Sequence, residues 1–166
     1  MPQFFDRYIN QVQEENIFDA FEASNKALDR LNIENLKEIG KKTYAPNKWT
    51  IHEIFQHIID NERIQAYRAL RIARKDATVL PGYDENVLAA YSFANDRHLD
   101  EIINELKAVR HSNIILFKSI NPELLTHNGI CFNTKISALA LGFVIIGHQT
   151  HHLQVITEKY EPLIFQ

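Results

Sequence analysis

The sequence contains few of the residues that interrupt or cross-link a chain: one cysteine, five glycines and five prolines among 166 residues. The single thiol, Cys131, cannot form an internal disulfide, which suits a reducing compartment. No linker, internal repeat or low-complexity tract divides the chain. Because this length is enough to bury a core without cross-links, we predict a single domain over residues 1–166.

Several classes of function are disfavoured by what else is missing. The 18 basic and 21 acidic residues give a net charge of −3, which argues against nucleic-acid binding over the whole surface. The longest mostly apolar run, residues 136–147, is too short to span a bilayer. The first residues do not resemble a secretory signal, so we expect a cytoplasmic protein. No glycine-rich phosphate loop, Cys-x-x-Cys pair or Gly-x-Ser-x-Gly elbow occurs.

The apolar residues recur at helical spacing, and no long run alternates as a half-buried strand would. This pattern predicts an all-α fold, a four-helix bundle, with helices at about residues 15–31, 51–75, 96–120 and 135–160. An aromatic arm precedes the first helix. Thr50 and Glu53 form a predicted capping box at the start of the second helix. The long connections at 76–93 and 121–134 are expected to be irregular, although residues 84–90 could form a short helix.

Two of the eight histidines, His148 and His152, lie one helical turn apart in the most apolar predicted helix. Chance alone would supply about 0.4 His-x-x-x-His pairs in this composition. Buried imidazoles need partners for their ring nitrogens, and one shared metal ion would supply them. A hydrogen-bonded pair in the core or at its rim is the alternative.

A third ligand could come from His57 of the second helix. It lies about 100° to one side of the core stripe centred on Ile58, on a flank that would face a cleft between helices. A boundary histidine with one hydrogen bond is the alternative. The other histidines are interpreted as structural or solvated, with His151 rotated away from the pair: His52, His98, His111, His127 and His151.

The second helix also carries a basic patch in its later half: Arg63, Arg68, Arg71, Arg74 and Lys75. We interpret it first as a solvated face or a partner for the acidic first helix. Recognition of an anionic substrate is the second interpretation, and nucleic-acid binding is a distant third. On the core stripe of the same helix, Glu62 is expected to pair with an arginine or a backbone donor, because an unpaired buried carboxylate is costly.

Two segments resemble the signatures of the DinB/YfiT-like superfamily. The first is Tyr44-Ala-Pro-Asn-Lys-Trp-Thr-Ile-His-Glu53, followed by His57, Asp60 and Glu62-Arg63. The second is Gly147-His148 with His151-His152. Residues 67–74 and 80–86 are similar to one bacterial branch, so that the resemblance covers about residues 44–160.

The resemblance implies an up-down-down-up four-helix bundle and often a homodimer. It also implies a divalent metal ion, zinc or nickel, bound by three histidines that map onto His57, His148 and His152. Some members of the superfamily join a low-molecular-weight thiol to an electrophile. We therefore expect a metal-dependent enzyme, of the thiol S-transferase or hydrolase type, that acts on a small electrophilic substrate. A non-catalytic stress-response or ligand-binding protein with a structural or vestigial metal site is the alternative.

Three neutral imidazoles would leave a metal ion its full charge and at least one open coordination position. Such a centre can bind a thiolate or lower the pKa of a bound water. Glu53 and Asn61, one turn to either side of His57, are candidates to orient its ring. No catalytic residue beyond the metal set is assigned.

Overall fold

The computed structural model describes residues 3–165, and the side chains of residues 5–165. Eight α-helices and one hairpin follow each other along this part of the chain: α1 (Gln3–Ile9), α2 (Ile17–Asp29), α3 (Ile33–Ile39), α4 (Ile51–Ala73), α5 (Glu85–Ala90), α6 (Leu99–Ser119), α7 (Pro122–Leu125), β1 (Asn128–Cys131), β2 (Thr134–Ser137) and α8 (Ala138–Val155). Two short 3-10 helices, Ala94–Asp96 and Glu161–Phe165, complete the helical segments. A π-helical turn, Ile156–Tyr160, continues α8. None of the helices in residues 3–165 combines the length and apolar character needed to cross a bilayer.

Helices α2, α4, α6 and α8 form the predicted four-helix bundle. Gln56 near the start of α4 pairs with Arg97 just before α6, and Glu62 farther along α4 pairs with Arg110 farther along α6, so these two helices are parallel. The first turns of α4 contact the last turns of α8, and α2 likewise runs antiparallel to α6. The topology is therefore up-down-down-up, and the prediction is confirmed.

The capping box at the start of α4 is also confirmed. The Glu53 backbone N–H donates to the Thr50 hydroxyl, and the Glu53 carboxylate accepts from the Thr50 N–H at 2.7 Å. Because this arrangement satisfies two N–H groups that a helix start leaves free, the first turn of α4 is well defined. It is this part of α4 that carries His57.

Two apolar clusters fill the bundle, one at each end. One contains the second half of α4 and the first half of α8, and the other contains the first half of α4 and the last turns of α8. Between them lies a layer of buried polar side chains from all four bundle helices. His57 and His148 lie at this level, buried in the protein.

The hairpin differs from our prediction, which had an irregular segment and then a helix from residue 135. Strands β1 and β2 pair antiparallel, with Cys131 opposite Thr134, and α8 begins only after the Ser137 cap. The two turn residues, Phe132 and Asn133, both have positive φ, as a type I′ turn requires. Phe-Asn lacks the glycine that usually marks such turns, and four-residue strands are too short to show clear alternation.

The predicted aromatic arm is a helix, α1, which packs across α8. Gly147 makes this contact possible, because a Cβ there would lie 1.9 Å from the carbonyl oxygen of Tyr8. Any larger residue would therefore push α1 away from α8. The glycine next to His148 is a packing requirement that also brings the Tyr8 ring to the histidines.

Candidate metal centre

Three imidazoles converge where the start of α4 meets the end of α8. His57, His148 and His152 each offer one ring nitrogen, and these atoms all lie within 4.8 Å of one another. The Nε2 atom of His148 is 2.9 Å from that of His57 and 3.2 Å from that of His152. The structure thus brings together the three histidines that the sequence singled out.

Hydrogen bonding alone cannot satisfy this arrangement. In a neutral imidazole, each ring nitrogen carries either a proton or a lone pair. The Nε2 atom of His148 therefore cannot donate to one neighbour and accept from the other at the same time. A metal ion accepts all three lone pairs, and with metal–nitrogen distances of about 2.0–2.1 Å its tetrahedral ligands stand about 3.3 Å apart. The two Nε2 separations measured from His148, 2.9 and 3.2 Å, are close to this value.

The electrostatic environment keeps the three rings neutral. Burial lowers the pKa of His57 to about 4 and that of His152 to about 3. The pKa of His148 lies well below its usual value, because of burial first and the neighbouring histidines second. At neutral pH all three rings are therefore uncharged, with one nitrogen of each ring free of a proton, which is the state that a metal ligand requires.

Aromatic side chains enclose the cluster on two sides. The Trp49 ring lies 4.6 Å from that of His57, and the Tyr8 ring meets His148 edge-on at 5.1 Å. The hydroxyl of Tyr160 donates to the Trp49 carbonyl, and burial raises the pKa of Tyr160 to about 12. Sequence reasoning placed Trp49 at the helix start but missed Tyr8, whose one signal was Gly147.

The residues expected to orient His57 have other partners. Glu53 is engaged in the capping box, and the Asn61 amide donates to the hydroxyl of Tyr83 at 2.6 Å. His151 lies beside the cluster, with its ring 5.1 Å from that of His152, but is not one of the three converging histidines. His52, which we interpreted as structural or solvated, is half-buried.

The cluster lies between two cavities. The larger, of about 520 Å³, is lined by His148 and by polar residues of α4 that include Asn61 and Arg68. The smaller, of about 270 Å³, is lined by Trp49 and His152. The larger volume is within the range of about 300–1,000 Å³ that small-molecule sites occupy.

Three residues of the basic patch, Arg63, Arg74 and Lys75, are exposed, as the interpretation of a solvated face expected. Arg63 pairs with Glu105 of α6, and Arg71 pairs with Asp76, so pairing with the acidic first helix is wrong for both. Arg68 is buried and lines the larger cavity. The sequence alone does not distinguish Arg68 from the four other cations of the same stretch.

Glu62 pairs with an arginine, Arg110, as its predicted burial requires. Its carboxylate accepts two hydrogen bonds from the Arg110 guanidinium, at 2.8 and 2.9 Å, and both side chains are almost fully buried. Arg110 also donates to Ser24 of α2 and to Gln149 of α8. One ion pair thus connects all four bundle helices.

Comparisons with known proteins agree with this fold. The family model described as the DinB superfamily matches residues 20–156. A solved structure from Bacillus subtilis, YfiT, described as a probable metal-dependent hydrolase with an unusual four-helix bundle topology, is similar to this chain with a TM-score of 0.70 and 13% identity. The match covers 98% of this chain and 90% of that one. No protein with a curated description matches the sequence. The chain belongs to the DinB superfamily.

Proposed function

We propose that this protein is a metal-dependent hydrolase in which His57, His148 and His152 bind one divalent transition metal ion. The observation that carries the proposal is the convergence of three imidazole nitrogens, from the buried His57 and His148 and the half-buried His152, that cannot satisfy one another. A metal bound there would supply a positive charge and an open position for activating water. The description of YfiT as a probable metal-dependent hydrolase supports hydrolysis over thiol transfer.

The protein around the centre contributes neutrality, orientation and access. Trp49 and Tyr8 shield the imidazoles from water and hold their rings in place. The larger cavity reaches His148 and gives a small electrophilic substrate room beside the metal. Zinc is our first candidate and nickel the second, since an all-histidine set accepts both and zinc suits a tetrahedral site. A cytoplasmic location and a homodimer remain predictions.

The first experiment measures metal content. The protein purified without added chelator is expected to contain about one equivalent of zinc or nickel by inductively coupled plasma mass spectrometry, since three histidines form one site. His148→Ala should lose the metal, whereas His98→Ala, which replaces the exposed histidine just before α6, should keep it. A wild-type protein that neither contains nor takes up a divalent metal contradicts the proposal.

The second experiment measures turnover. The metal-loaded protein is assayed with a panel of amides and esters, and separately with low-molecular-weight thiols and electrophiles. Hydrolysis that disappears in His57→Ala supports the proposed activity. Activity on the thiol panel alone would identify a thiol S-transferase, and a metal-loaded protein inactive on both panels would be a non-catalytic metal-binding protein.

A further inference from the structure

A stripe of buried polar residues continues along α4 from the metal centre. Asn61, Gln65 and Arg68 follow His57 at four, eight and eleven positions, which places all four within a sector of about 80°. Each of the four is at most 6% exposed. Asn61, Gln65 and Arg68 line the larger cavity together with His148. One wall of this cavity is therefore polar.

Arg68 is a buried cation whose partners are neutral. Its guanidinium donates to the side-chain oxygen of Gln65 and to the carbonyl of Pro81, and it lies 5.4 Å from the centre of the Tyr83 ring. In the part of the chain that the structure describes, no carboxylate oxygen lies within 4.0 Å of it. A buried charge without a counter-ion is costly, and an anionic group in the cavity would offset that cost.

The side-chain oxygen of Asn61 accepts no hydrogen bond from the described residues. Its amide nitrogen donates to Tyr83, while its buried Oδ1 has no hydrogen-bond partner among the described residues. Unpaired buried polar atoms are uncommon and require an explanation. Since this oxygen belongs to a residue of the cavity wall, an N–H or O–H group of a bound molecule would satisfy it.

Arg68 and Asn61 are close enough to bind one small molecule. Both contact Tyr83, Asn61 through the hydroxyl and Arg68 over the ring. Along α4 their order is Arg68, then Asn61, then the metal centre. A ligand that reaches all three would carry an anionic group, then a hydrogen-bond donor, then the group presented to the metal.

The remainder of the cavity lining limits the charge and size of this ligand. Two cations, Arg7 and Arg68, and two exposed carboxylates, Asp84 and Glu85, line this cavity, so its formal charges cancel and no surplus of positive charge favours a dianion such as a phosphate ester. Phe5, Val144 and Phe132 supply an apolar wall. The lining therefore favours a monoanion with a short apolar part.

We infer that the larger cavity binds a small N-acyl amino acid or a closely related amide carboxylate. Its carboxylate pairs with Arg68, its amide N–H donates to the Oδ1 of Asn61, and its acyl end points to His148. That such a molecule is the substrate rests on the proposed function. Its recognition by Arg68 and Asn61 requires no metal, so the two can be tested separately.

The test measures binding of three related probes to the full-length protein, with and without zinc, by ligand-observed NMR. Hippurate has both the carboxylate and the N–H, hippuramide lacks the negative charge, and N-benzoylsarcosine lacks the N–H. In both forms of the protein, hippurate is expected to bind at least about tenfold more tightly than either analogue. Hippuramide loses the charge-assisted pair with Arg68, and N-benzoylsarcosine leaves the buried Oδ1 of Asn61 without a donor.

The variants assign each preference to one residue. Arg68→Gln should weaken hippurate binding about tenfold, to the level of hippuramide. Asn61→Ala should abolish the preference for hippurate over N-benzoylsarcosine and keep the preference for a carboxylate. Arg71→Gln is the matched control, because Arg71 lies on the same helix but pairs with Asp76 outside the cavity, and it should bind hippurate as the wild type does.

Three results would overturn the inference. They are equal binding of all three probes by the wild type, no saturable binding of hippurate up to about 10 mM, and hippurate binding that appears only with zinc and survives in Arg68→Gln. The last would place the carboxylate on the metal. The comparison of probes on the wild type is decisive even if Arg68→Gln does not fold. A protein that discriminates among the probes but binds no metal would support the anion site and contradict the proposed function.

Discussion

Two clusters of buried polar side chains lie side by side in this bundle, and they differ in whether the protein satisfies them. Around Arg110, the guanidinium donates to Glu62, Ser24 and Gln149, and Asn113 adds a further bond to Glu62. Around the three histidines and the cavity wall, ring nitrogens converge without satisfying one another, and the Oδ1 of Asn61 has no partner among the described residues.

The two clusters share helices and even neighbouring positions. Asn61 precedes Glu62, and His148 precedes Gln149, so a rotation of about 100° separates a residue of one cluster from a residue of the other. Because the Arg110 cluster joins all four helices, it fixes the rotation of α4 and α8 about their axes. With α4 and α8 fixed in this way, the histidines and Asn61 keep orientations that their own hydrogen bonds do not impose.

The largest effect on stability is expected from removing Arg110, the centre of the cluster whose polar groups have hydrogen-bond partners. Arg110→Ala leaves the Glu62 carboxylate buried without a counter-ion and should lower the free energy of unfolding by about 3–5 kcal/mol. Chemical denaturation measures this change. Arg68→Gln, which removes a cation that has no carboxylate partner, should cost clearly less. If it costs as much as Arg110→Ala, the distinction between the two clusters is wrong.

Acid should destabilise the metal-free protein through the open cluster, which consists of His57, His148 and His152. The folded state keeps His57 and His152 neutral down to pKa values of about 4 and about 3, whereas unfolded histidines take up protons near pH 6.5. The unfolded state therefore binds more protons in this window, and stability falls as the pH is lowered from about 6.5 towards 4. Denaturation in the presence of a chelator at several pH values measures the slope.

Two histidine variants locate the origin of this pH dependence. His57→Ala should flatten the curve, and replacement of the exposed His98 should leave it unchanged. A curve that is already flat in the wild type would show that the three imidazoles titrate as freely in the folded protein as in the unfolded chain. The described burial of the cluster would then be incorrect.

Gly147→Ala tests how α1 closes the open cluster. The added methyl group would meet the backbone of Tyr8, so we expect displacement of α1 and a loss of about 1–3 kcal/mol, as in other overpacked interiors. Chemical denaturation gives the loss, and amide hydrogen exchange in residues 5–9 reports the displacement. In a chain that begins at residue 11, the same substitution should instead stabilise by about 1 kcal/mol, because alanine favours a helix. Destabilisation in both chains would contradict the assigned contact.

The smallest effect on stability is expected at Tyr160, which contacts the metal centre only through Trp49. Tyr160→Phe removes the hydrogen bond to the Trp49 carbonyl and should cost about 0.5–1.5 kcal/mol. Trp49 is the only tryptophan, so its fluorescence reports the change directly. An unchanged emission spectrum together with unchanged stability would show that Tyr160 does not hold Trp49 against His57.

The sequence predicted those features that depend on local chemistry or on a family signature. The four bundle helices followed from periodicity, the start of α4 from Thr50 and Glu53, and the three histidines from their spacing and the resemblance. The pairing of Glu62 followed from its position on the core stripe. Its partner, 48 positions away, could be identified only in three dimensions.

The features that it missed depend on long-range packing. The hairpin has a weak turn signal at Phe132-Asn133, and its strands also receive Leu80 from another connection. The packing of α1 is signalled by Gly147 alone, since a helical glycine does not show what approaches it. The role of Arg68 could be distinguished from that of the other cations on α4 only once the position of the cavity relative to the faces of the helix was known.

The central claim is that the open cluster is a metal site, and anomalous X-ray scattering from crystals of the purified protein tests it most directly. We expect one peak, at the zinc or nickel absorption edge, about 2.0–2.1 Å from the Nε2 atoms of His57, His148 and His152. The absence of a peak there after zinc and nickel have been supplied, or a peak bound elsewhere while the histidines bond only to one another, would contradict the account.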